Sequence, residues 1–205
     1  MIITQIQQTK RGRISVYVDG EFVFAVEQLA WQQCSLHQND EVTEQQLTSL
    51  LESSNKLEAK RRALDLLSMR DYTSDTLTKK LAQKTDSSSA KQAVERMQEL
   101  GLVDDEKYAV RYSQQLFDKG YGKRRILFEL QKRRLPADAV SAALEQLDFS
   151  DDNQRALDIL CRKFEVIKTE AEKRRAFSFL ERCGYNYSDI NYAIKEIFEP
   201  ETQDF

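Results

Sequence analysis

The segment AKRRALDLLSMR, residues 59–70, returns in altered form twice further along the chain, as DEKYAVRYSQQLF (105–117) and NQRALDILCRKF (153–164). These segments align Ala63 with Ala109 and Ala156, and four positions later they align Leu67, Ser113 and Leu160. Small and apolar residues at this spacing are typical of a helix with one buried face. A recurrence every 46 to 50 residues or so indicates an internal repeat.

Two further helices complete each repeat. The second helices read LTKKLAQK (77–84), ILFELQKR (126–133) and FSFLERCG (177–184), which align Leu81, Leu130 and Leu180. The third helices read AVERMQEL (93–100), VSAALEQL (140–147) and INYAIKEI (190–197), which align Met97, Leu144 and Ile194. One such unit has too little apolar surface to be stable alone, so neighbours must stack. We therefore predict a mainly α fold, a tandem array of three three-helix repeats at 55–103, 104–149 and 150–200 with a tail at 201–205. A compact all-α bundle is the alternative.

Start and stop signals give the helix boundaries. The predicted helices are 56–70, 74–84, 88–100, 105–119, 123–134, 136–147, 151–167, 170–183 and 187–198. Glycine favours the left-handed conformation that ends a helix, which we predict for Gly101, Gly120 and Gly184. Pro136 suits the first position of a helix. The predicted N-caps are Ser74, Ser87, Asp104, Ser150 and Ser188.

The first 54 residues follow a different pattern. Two alternating runs flank Asp19-Gly20, and this dipeptide is a strong hairpin signal because both residues must adopt positive φ. We predict a small antiparallel sheet over 1–26 and short helices at 27–35 and 43–54, the second starting at Thr43. Together they form an N-terminal β/α cap, 1–54, in which Trp31 and Phe22 are expected to hold the elements together.

The composition excludes several function classes. The chain has three cysteines without paired spacing, from which neither a zinc pattern nor a disulfide framework can be built. His37 is the single histidine, so a histidine-based triad or a multi-histidine metal site is possible at one position at most. No glycine-rich phosphate loop is present, and no apolar run approaches the roughly 20 residues that span a bilayer. We expect a cytoplasmic protein that is neither an enzyme nor membrane-bound, with no cofactor or metal.

One motif leads to a known family. Gly101-Leu102-Val103-Asp104-Asp105 precedes Tyr108-Ala109, and Gly120-Tyr121-Gly122-Lys123-Arg124-Arg125-Ile126 follows. In this order the elements resemble the middle of the RecX family, regulators of the RecA recombinase. The resemblance extends over nearly the whole chain, although the family often has Lys-Gly where this chain has Lys132-Arg133-Arg134. The resemblance implies a protein that lies along the RecA–DNA filament and modulates recombination, DNA repair and the SOS response. The expected effect on the recombinase activity of RecA is inhibition.

Basic residues form three clusters in a chain whose net charge is −3. The predicted binding residues are Lys119, Tyr121, Lys123, Arg124, Arg125, Lys132, Arg133 and Arg134 in the centre, and Lys60, Arg61, Arg62, Lys173, Arg174 and Arg175 in the outer clusters. Cations at a helix N-terminus oppose the helix dipole, so an external anion is a plausible reason for Lys123, Arg124 and Arg125. Solvated helix faces are the alternative, which we weigh equally for the outer clusters.

Three functions compete on these grounds. The first is a monomeric regulator that binds the RecA filament, and DNA directly or through that filament. The second is a nucleic-acid-binding protein that acts alone through helix-turn-helix-like units, with an affinity that falls steeply with salt. The third is a scaffold without any link to nucleic acid. An enzyme ranks last, because no nucleophile, base and stabilising group converge in the sequence.

Overall fold

A computed structural model describes residues 1–198 as three strands and ten helices. The chain divides into two compact units, the first Met1–Asp104 and the second beginning at Asp105. Residues 199–205 lie outside the described part, and with them the predicted tail 201–205 and the last two residues of the predicted third repeat. The predicted fold class is confirmed, since three-helix repeats follow one another along the chain behind a small antiparallel sheet.

The sheet at the start of the first unit has the order β1-β2-β3, with β1 at Ile3–Gln8, β2 at Ile14–Val18 and β3 at Glu21–Val26. Both neighbouring pairs are antiparallel. The predicted hairpin turn between β2 and β3 is confirmed, because Asp19 and Gly20 have φ angles of 51° and 89°. Positive φ at both central residues gives the turn a twist that matches its flanking strands.

One prediction about the N-terminal core is wrong. Trp31 packs against this core as expected, but the side chain of Phe22 is 57% exposed. The register of β2 and β3 gives the reason: Val16 pairs with Phe24, whereas Tyr17 pairs with Phe22, so the ladder is irregular between the two pairs. A shift of one residue moves a side chain to the other face of a sheet. Phe22 therefore lies on the outer face, edge-on to the Tyr17 ring.

A single long helix replaces two predicted ones. After the short α1 (Gln28–Gln33), α2 runs without a break over Glu44–Leu67, where we predicted helices at 43–54 and 56–70. Its start is as predicted, since Thr43 caps it in a reciprocal arrangement with Gln46. Ser54, close to the expected break, is fully buried and accepts a hydrogen bond from the Glu27 backbone N–H at 2.8 Å. The helix thus continues through the predicted boundary between 54 and 55.

Seven of the remaining eight helices lie close to their predicted ranges. The eight helices are α3 (Ser74–Ala82), α4 (Ser87–Glu99), α5 (Asp105–Asp118), α6 (Lys123–Lys132), α7 (Ala137–Glu145), α8 (Asp152–Cys161), α9 (Glu170–Cys183) and α10 (Tyr187–Ile197). The exception is α8, which ends six residues before the predicted residue 167. Ile167 instead donates its backbone N–H to the Ile197 carbonyl, at 3.2 Å, and forms an isolated bridge with Phe198.

The aligned positions of the repeats carry the cores. Ala63, Ala109 and Ala156 are all fully buried, which lets the first helix of each repeat approach its neighbours closely. The second-helix leucines are equally buried: Leu81, Leu130 and Leu180. The third helices fit less well, since Met97 and Ile194 are buried but Leu144 is only half-buried, because Val140 and Ala143 occupy the inner positions of α7.

The glycine predictions hold better than the N-cap predictions. Gly101, Gly120 and Gly184 have φ angles of 68°, 82° and 91°, as expected of residues that end helices. The helix N-caps lie one or two residues from the predicted positions, with Thr73, Asp86, Asp151 and Asn186 in place of Ser74, Ser87, Ser150 and Ser188. Helix α5 begins directly after the predicted Asp104, and Pro136 immediately precedes α7 instead of opening it.

Candidate interaction surface

The central basic cluster is organised by α6, whose orientation is fixed by its core residues. Ile126, which we predicted to face the core, is fully buried together with Leu130, one turn later. Successive residues on a helix are about 100° apart, so the side opposite these two carries Arg124, Phe128 and Lys132 at four-residue intervals. All three side chains are exposed, and Phe128 is 53% exposed. We call this side the α6 outer face.

Phe128 was missed by the sequence reasoning. The sequence does contain a signal for an exposed ring at this position. Phe128 lies two residues from each of the core positions Ile126 and Leu130, which puts a large apolar residue on the polar side of an amphipathic helix. Its neighbours on the α6 outer face are Arg124 and Lys132, one turn to either side. An exposed aromatic ring flanked by two cations is the chemically most distinctive part of this surface.

Some members of the cluster have partners within the repeat. Arg125 pairs with Glu129 at 2.7 Å, and its guanidinium lies 5.6 Å from the centre of the Phe128 ring. Arg133 is half-buried over the Tyr112 ring at 4.0 Å. Cation–π contacts of this kind stabilise by about 0.5–1 kcal/mol at exposed sites and more when desolvated. Arg125 and Arg133 therefore contribute to the packing of the second repeat itself.

Other members face the solvent. Lys119, at the end of α5, is exposed, as are Arg124 and Lys132. Lys123 is also exposed, and its ammonium lies 5.6 Å from the Phe149 ring. Arg134 is exposed and follows α6 with a φ of 54°, a left-handed conformation that side chains other than glycine rarely adopt. The side chain of Tyr121 is half-buried, 5.9 Å from the Arg125 guanidinium.

The N-terminus of α6 contacts the C-terminus of α9 through backbone atoms. Gly122 donates its N–H to the Cys183 carbonyl at 2.9 Å, and Arg124 donates to the Gly184 carbonyl at 3.3 Å. There is no room for a side chain here, because a Cβ on Gly122 would lie 2.6 Å from the Gly184 carbonyl oxygen. A Cβ on Gly184 would lie 2.3 Å from the Arg125 nitrogen. We call this contact between the second and third repeats the glycine junction.

Two buried side chains support the glycine junction. The Tyr185 hydroxyl, on a fully buried side chain, donates to the Gly120 carbonyl at 2.9 Å. Burial raises the pKa of Tyr185 to about 12. Arg155 donates to the Phe117 carbonyl at 2.9 Å and to that of Tyr121 at 3.3 Å, and it also pairs with Asp152. These bonds give partners to the Gly120 and Tyr121 carbonyl groups in the loop after α5, and a second donor to the Phe117 carbonyl, which also accepts from the Gly120 N–H.

The glycine junction changes the argument for an external anion. From sequence, the cations at the N-terminus of α6 oppose its dipole, and an external anion is a plausible reason for them. The C-terminal carbonyl groups of α9 are close to the same turn, and cations are favoured near the negative end of a helix dipole. The negative end of the α9 dipole thus accounts for part of the cluster without an external anion. The Gly122 and Arg124 N–H groups are already bonded, so these two amides are not available to a ligand of this surface.

The two outer clusters lie on separate helices, and half of their six residues are paired with acids. On α2, Arg62 bonds Glu58 at 2.6 Å and Arg61 bonds Asp65 at 3.2 Å, while Lys60 is exposed. On α9, Lys173 lies 3.4 Å from Glu170. Arg174 and Arg175 are exposed beside it. Their functional role stays a prediction, and the central cluster is the stronger candidate because it has more solvent-facing cations together with an exposed aromatic ring.

Neither a membrane-spanning helix nor a group of metal ligands is found in the part of the chain that the structure describes. Among residues 1–198, no helix has the length and apolar character needed to cross a bilayer. In the same range, no group of three or more His, Cys, Asp or Glu side chains converges as metal ligands would. The fold and surface define an α-helical tandem-repeat protein with an N-terminal sheet and an exposed cationic helix face.

Family models and relatives in sequence relate this chain to one family. The family model for the N-terminal domain of regulatory protein RecX matches residues 1–43, and the model for the second three-helix domain of RecX matches residues 104–144. A regulatory protein RecX from Xanthomonas campestris is 34% identical over 137 residues, which cover 65% of this chain and 84% of the relative. Another, from Clostridium perfringens, is 27% identical over 204 residues, or 95% of each chain. The chain belongs to the RecX family, whose members are regulatory proteins and not known enzymes.

Solved structures agree with this fold. A crystal structure of regulatory protein RecX superimposes with a TM-score of 0.66 at 23% identity, covering 95% of this chain and 98% of its own. The crystal structure of RecX from Lactobacillus salivarius gives a TM-score of 0.59 at 18% identity, covering 70% of this chain and 96% of its own. At these identities the likeness concerns the fold alone.

Proposed function

We propose that this protein regulates the RecA recombinase by binding the RecA–DNA filament, and that its effect is inhibitory. Membership of the RecX family supports the choice of partner. The observation that carries the proposal for this chain is the exposed cationic surface of the second repeat in a protein of net charge −3. A filament of protein and DNA presents rows of phosphates and carboxylates, with which such a surface is electrostatically complementary.

In this proposal the solvent-facing cations bind, and the half-buried ones hold the surface in shape. Lys119, Arg124 and Lys132 are the contact residues, whereas Arg125 and Arg133 are occupied by Glu129 and by the Tyr112 ring. The protein acts as a cytoplasmic monomer without cofactors, in DNA recombination and repair and in the SOS response. The cap, 1–54, and the three repeats at 55–103, 104–149 and 150–200 serve as its domains.

The test is a charge reversal confined to the contact residues. The variant Lys119→Glu/Arg124→Glu/Lys132→Glu should keep the thermal melt of the parent, because exposed substitutions usually change stability by less than about 0.5 kcal/mol each. It should bind filaments of RecA on single-stranded DNA roughly tenfold more weakly or worse, and lose most of its effect on RecA's ATP hydrolysis. Co-sedimentation with the filament measures the binding.

A matched control separates local contacts from net charge. Lys10→Glu/Lys91→Glu/Lys168→Glu changes three exposed lysines outside the three basic clusters and alters the total charge by the same amount. This control should bind filaments nearly as the parent does. Equal weakening by both variants would mean that only the overall charge matters, and unchanged binding by the first variant would remove these residues from the contact.

A stand-alone nucleic-acid-binding protein is the second candidate. The exposed cations of α6 also favour this function, since neutralising phosphates supplies most of the non-specific affinity for DNA. A helix-turn-helix-like mode would insert a helix into the major groove of duplex DNA. Tight, salt-sensitive binding to duplex DNA without RecA, together with no preference for the filament, would favour this candidate over the first.

A further inference from the structure

The α6 outer face combines two kinds of side chain that rarely occur together on a free surface. Phe128 exposes 53% of its surface, although aromatic rings are normally buried. Arg124 and Lys132 are exposed four residues to either side, about 6 Å along the helix axis from Phe128. The two cations are therefore about 12 Å apart, with the aromatic ring between them.

The charge of this face is not cancelled by its one acid. Glu129 is bound to Arg125 at 2.7 Å, so the pair contributes no net charge, and Arg124 and Lys132 remain as positive charges. The N–H groups of Gly122 and Arg124 are bonded to α9 carbonyls, so these amides are not available to a ligand. A ligand that fits must offer anionic groups to two separated cations and a flat or apolar group to the ring between them.

We propose that the α6 outer face binds single-stranded nucleic acid directly, with an unpaired base stacked on Phe128 and the neighbouring phosphates contacting Arg124 and Lys132. Aromatic side chains in a positively charged setting are the usual means of binding single strands without sequence preference. A base inside a duplex is already stacked on both sides, so the ring discriminates against duplex DNA. This inference deepens the proposed function because it uses the same surface, but it does not require RecA.

An acidic protein is the competing occupant. An aromatic anchor in a protein interface is normally surrounded by contacts that exclude water. The neighbours of Phe128 one turn away on α6 are polar: Arg124, Gln131 and Lys132 are exposed, and the Arg125 guanidinium lies 5.6 Å from the ring centre. The ring thus lacks the apolar rim that a protein anchor uses, whereas base stacking on an isolated ring needs none. The surroundings of Phe128 favour nucleic acid.

The experiment compares two strands that differ only in their bases. Fluorescence anisotropy measures the binding of the full chain to labelled oligothymidylate and to an abasic strand of equal length and charge. Phe128→Ala should weaken binding to oligothymidylate on the order of tenfold, since stacking contributes that much or more per base. Binding to the abasic strand should not change, and the parent itself should prefer oligothymidylate to duplex DNA.

Three further variants sharpen the result. Phe128→Leu keeps an apolar side chain without an aromatic face and should behave as Phe128→Ala does. Phe128→Trp should restore binding, and its fluorescence should be quenched by the oligonucleotide relative to the parent, which contains only Trp31. Phe22→Ala is the control, because Phe22 is similarly exposed but lies beside Glu21 and outside the three basic segments of the sequence. It should bind both strands as the parent does.

Several outcomes would overturn this inference. A parent protein that does not bind oligothymidylate, or a Phe128→Ala variant that loses affinity for both strands equally, would exclude stacking. Weakened filament binding by Phe128→Ala with unchanged oligonucleotide binding would assign the ring to a protein partner. A parent that binds oligothymidylate through Phe128 but does not bind the RecA filament would refute the proposed function and leave the stacking face in place.

Discussion

Adding a single methyl group at Gly122 tests the glycine junction. The residue has φ −79° and ψ 167°, which any amino acid adopts, so alanine brings no backbone strain of its own. Its Cβ would, however, lie 2.6 Å from the Gly184 carbonyl oxygen and 2.9 Å from the Tyr185 nitrogen. These are backbone atoms, which a change of side-chain rotamer cannot move aside. The start of α6 and the end of α9 must therefore separate.

The magnitude follows from what that separation breaks. The hydrogen bonds that Gly122 and Arg124 donate to α9 contribute about 1 kcal/mol each. The bond from Tyr185 to the Gly120 carbonyl is strained at the same time, and alanine is a poorer N-cap than glycine. Overpacking alone costs about 1–3 kcal/mol. We expect Gly122→Ala to lower the free energy of unfolding by about 2–4 kcal/mol.

Urea unfolding followed by circular dichroism measures this loss, and Gly101→Ala provides the comparison. Gly101 has a φ of 68° but no atom within 4 Å of an added Cβ, so alanine there costs only the left-handed strain of about 1 kcal/mol. Gly122→Ala should cost clearly more, although its φ is ordinary. If it unfolds at the same urea concentration as the parent, the junction has room for a methyl group and the reasoning is wrong.

Three smaller predictions concern single side chains. Tyr185→Phe removes the bond to the Gly120 carbonyl and should lower the free energy of unfolding, measured in urea, by about 1–2 kcal/mol. Burial raises the pKa of Tyr185 from 10.0 to about 12, so between these pH values the folded parent keeps a proton that the unfolded chain releases. The stability of the parent should therefore fall between pH 10 and about 12, and it should fall less steeply with pH in Tyr185→Phe. Arg134→Gly removes the backbone strain of a side-chain-bearing residue at φ 54° and should raise the melting temperature. The expected stabilisation is about 1 kcal/mol, reduced by whatever the exposed Arg134 side chain contributes to stability. Asp86→Ala removes the N-cap side chain of α4, which accepts a hydrogen bond from the Ser89 N–H at 2.8 Å, and should lower the free energy of unfolding by about 1 kcal/mol above about pH 5. That hydrogen bond lowers the pKa of Asp86. The difference in stability between variant and parent should therefore shrink as the pH falls below about 4.

The periodic part of the fold could be predicted from sequence because it depends on local rules. Ala63, Ala109 and Ala156 reveal the repeat, since a helix that packs closely needs a small residue at the contact, and each is fully buried. Left-handed glycines and the Asp19-Gly20 turn follow from backbone sterics alone. The continuity of α2 could not be predicted, because Ser54 is stabilised by a bond to Glu27, a residue distant in sequence.

The candidate surface was predicted only in outline. Composition located the basic segment, but charge alone does not distinguish Arg124, which faces solvent, from Arg133, which packs on the Tyr112 ring. That distinction depends on tertiary contacts. The contact between Gly122 and Gly184 was beyond sequence reasoning for the same reason, since the two residues are 62 positions apart and each has a sufficient local explanation as a helix-terminal glycine.

The glycine junction also affects how the chain opens. Terminal repeats of an array usually unfold first, because they have a neighbour on only one side. Here the amide protons of Gly122 and Arg124, in the second repeat, are bonded to carbonyl groups of the third. Departure of the third repeat exposes them to water, so the first turn of α6 frays with it. Amide hydrogen exchange at these two residues therefore reports the opening of a repeat to which they do not belong.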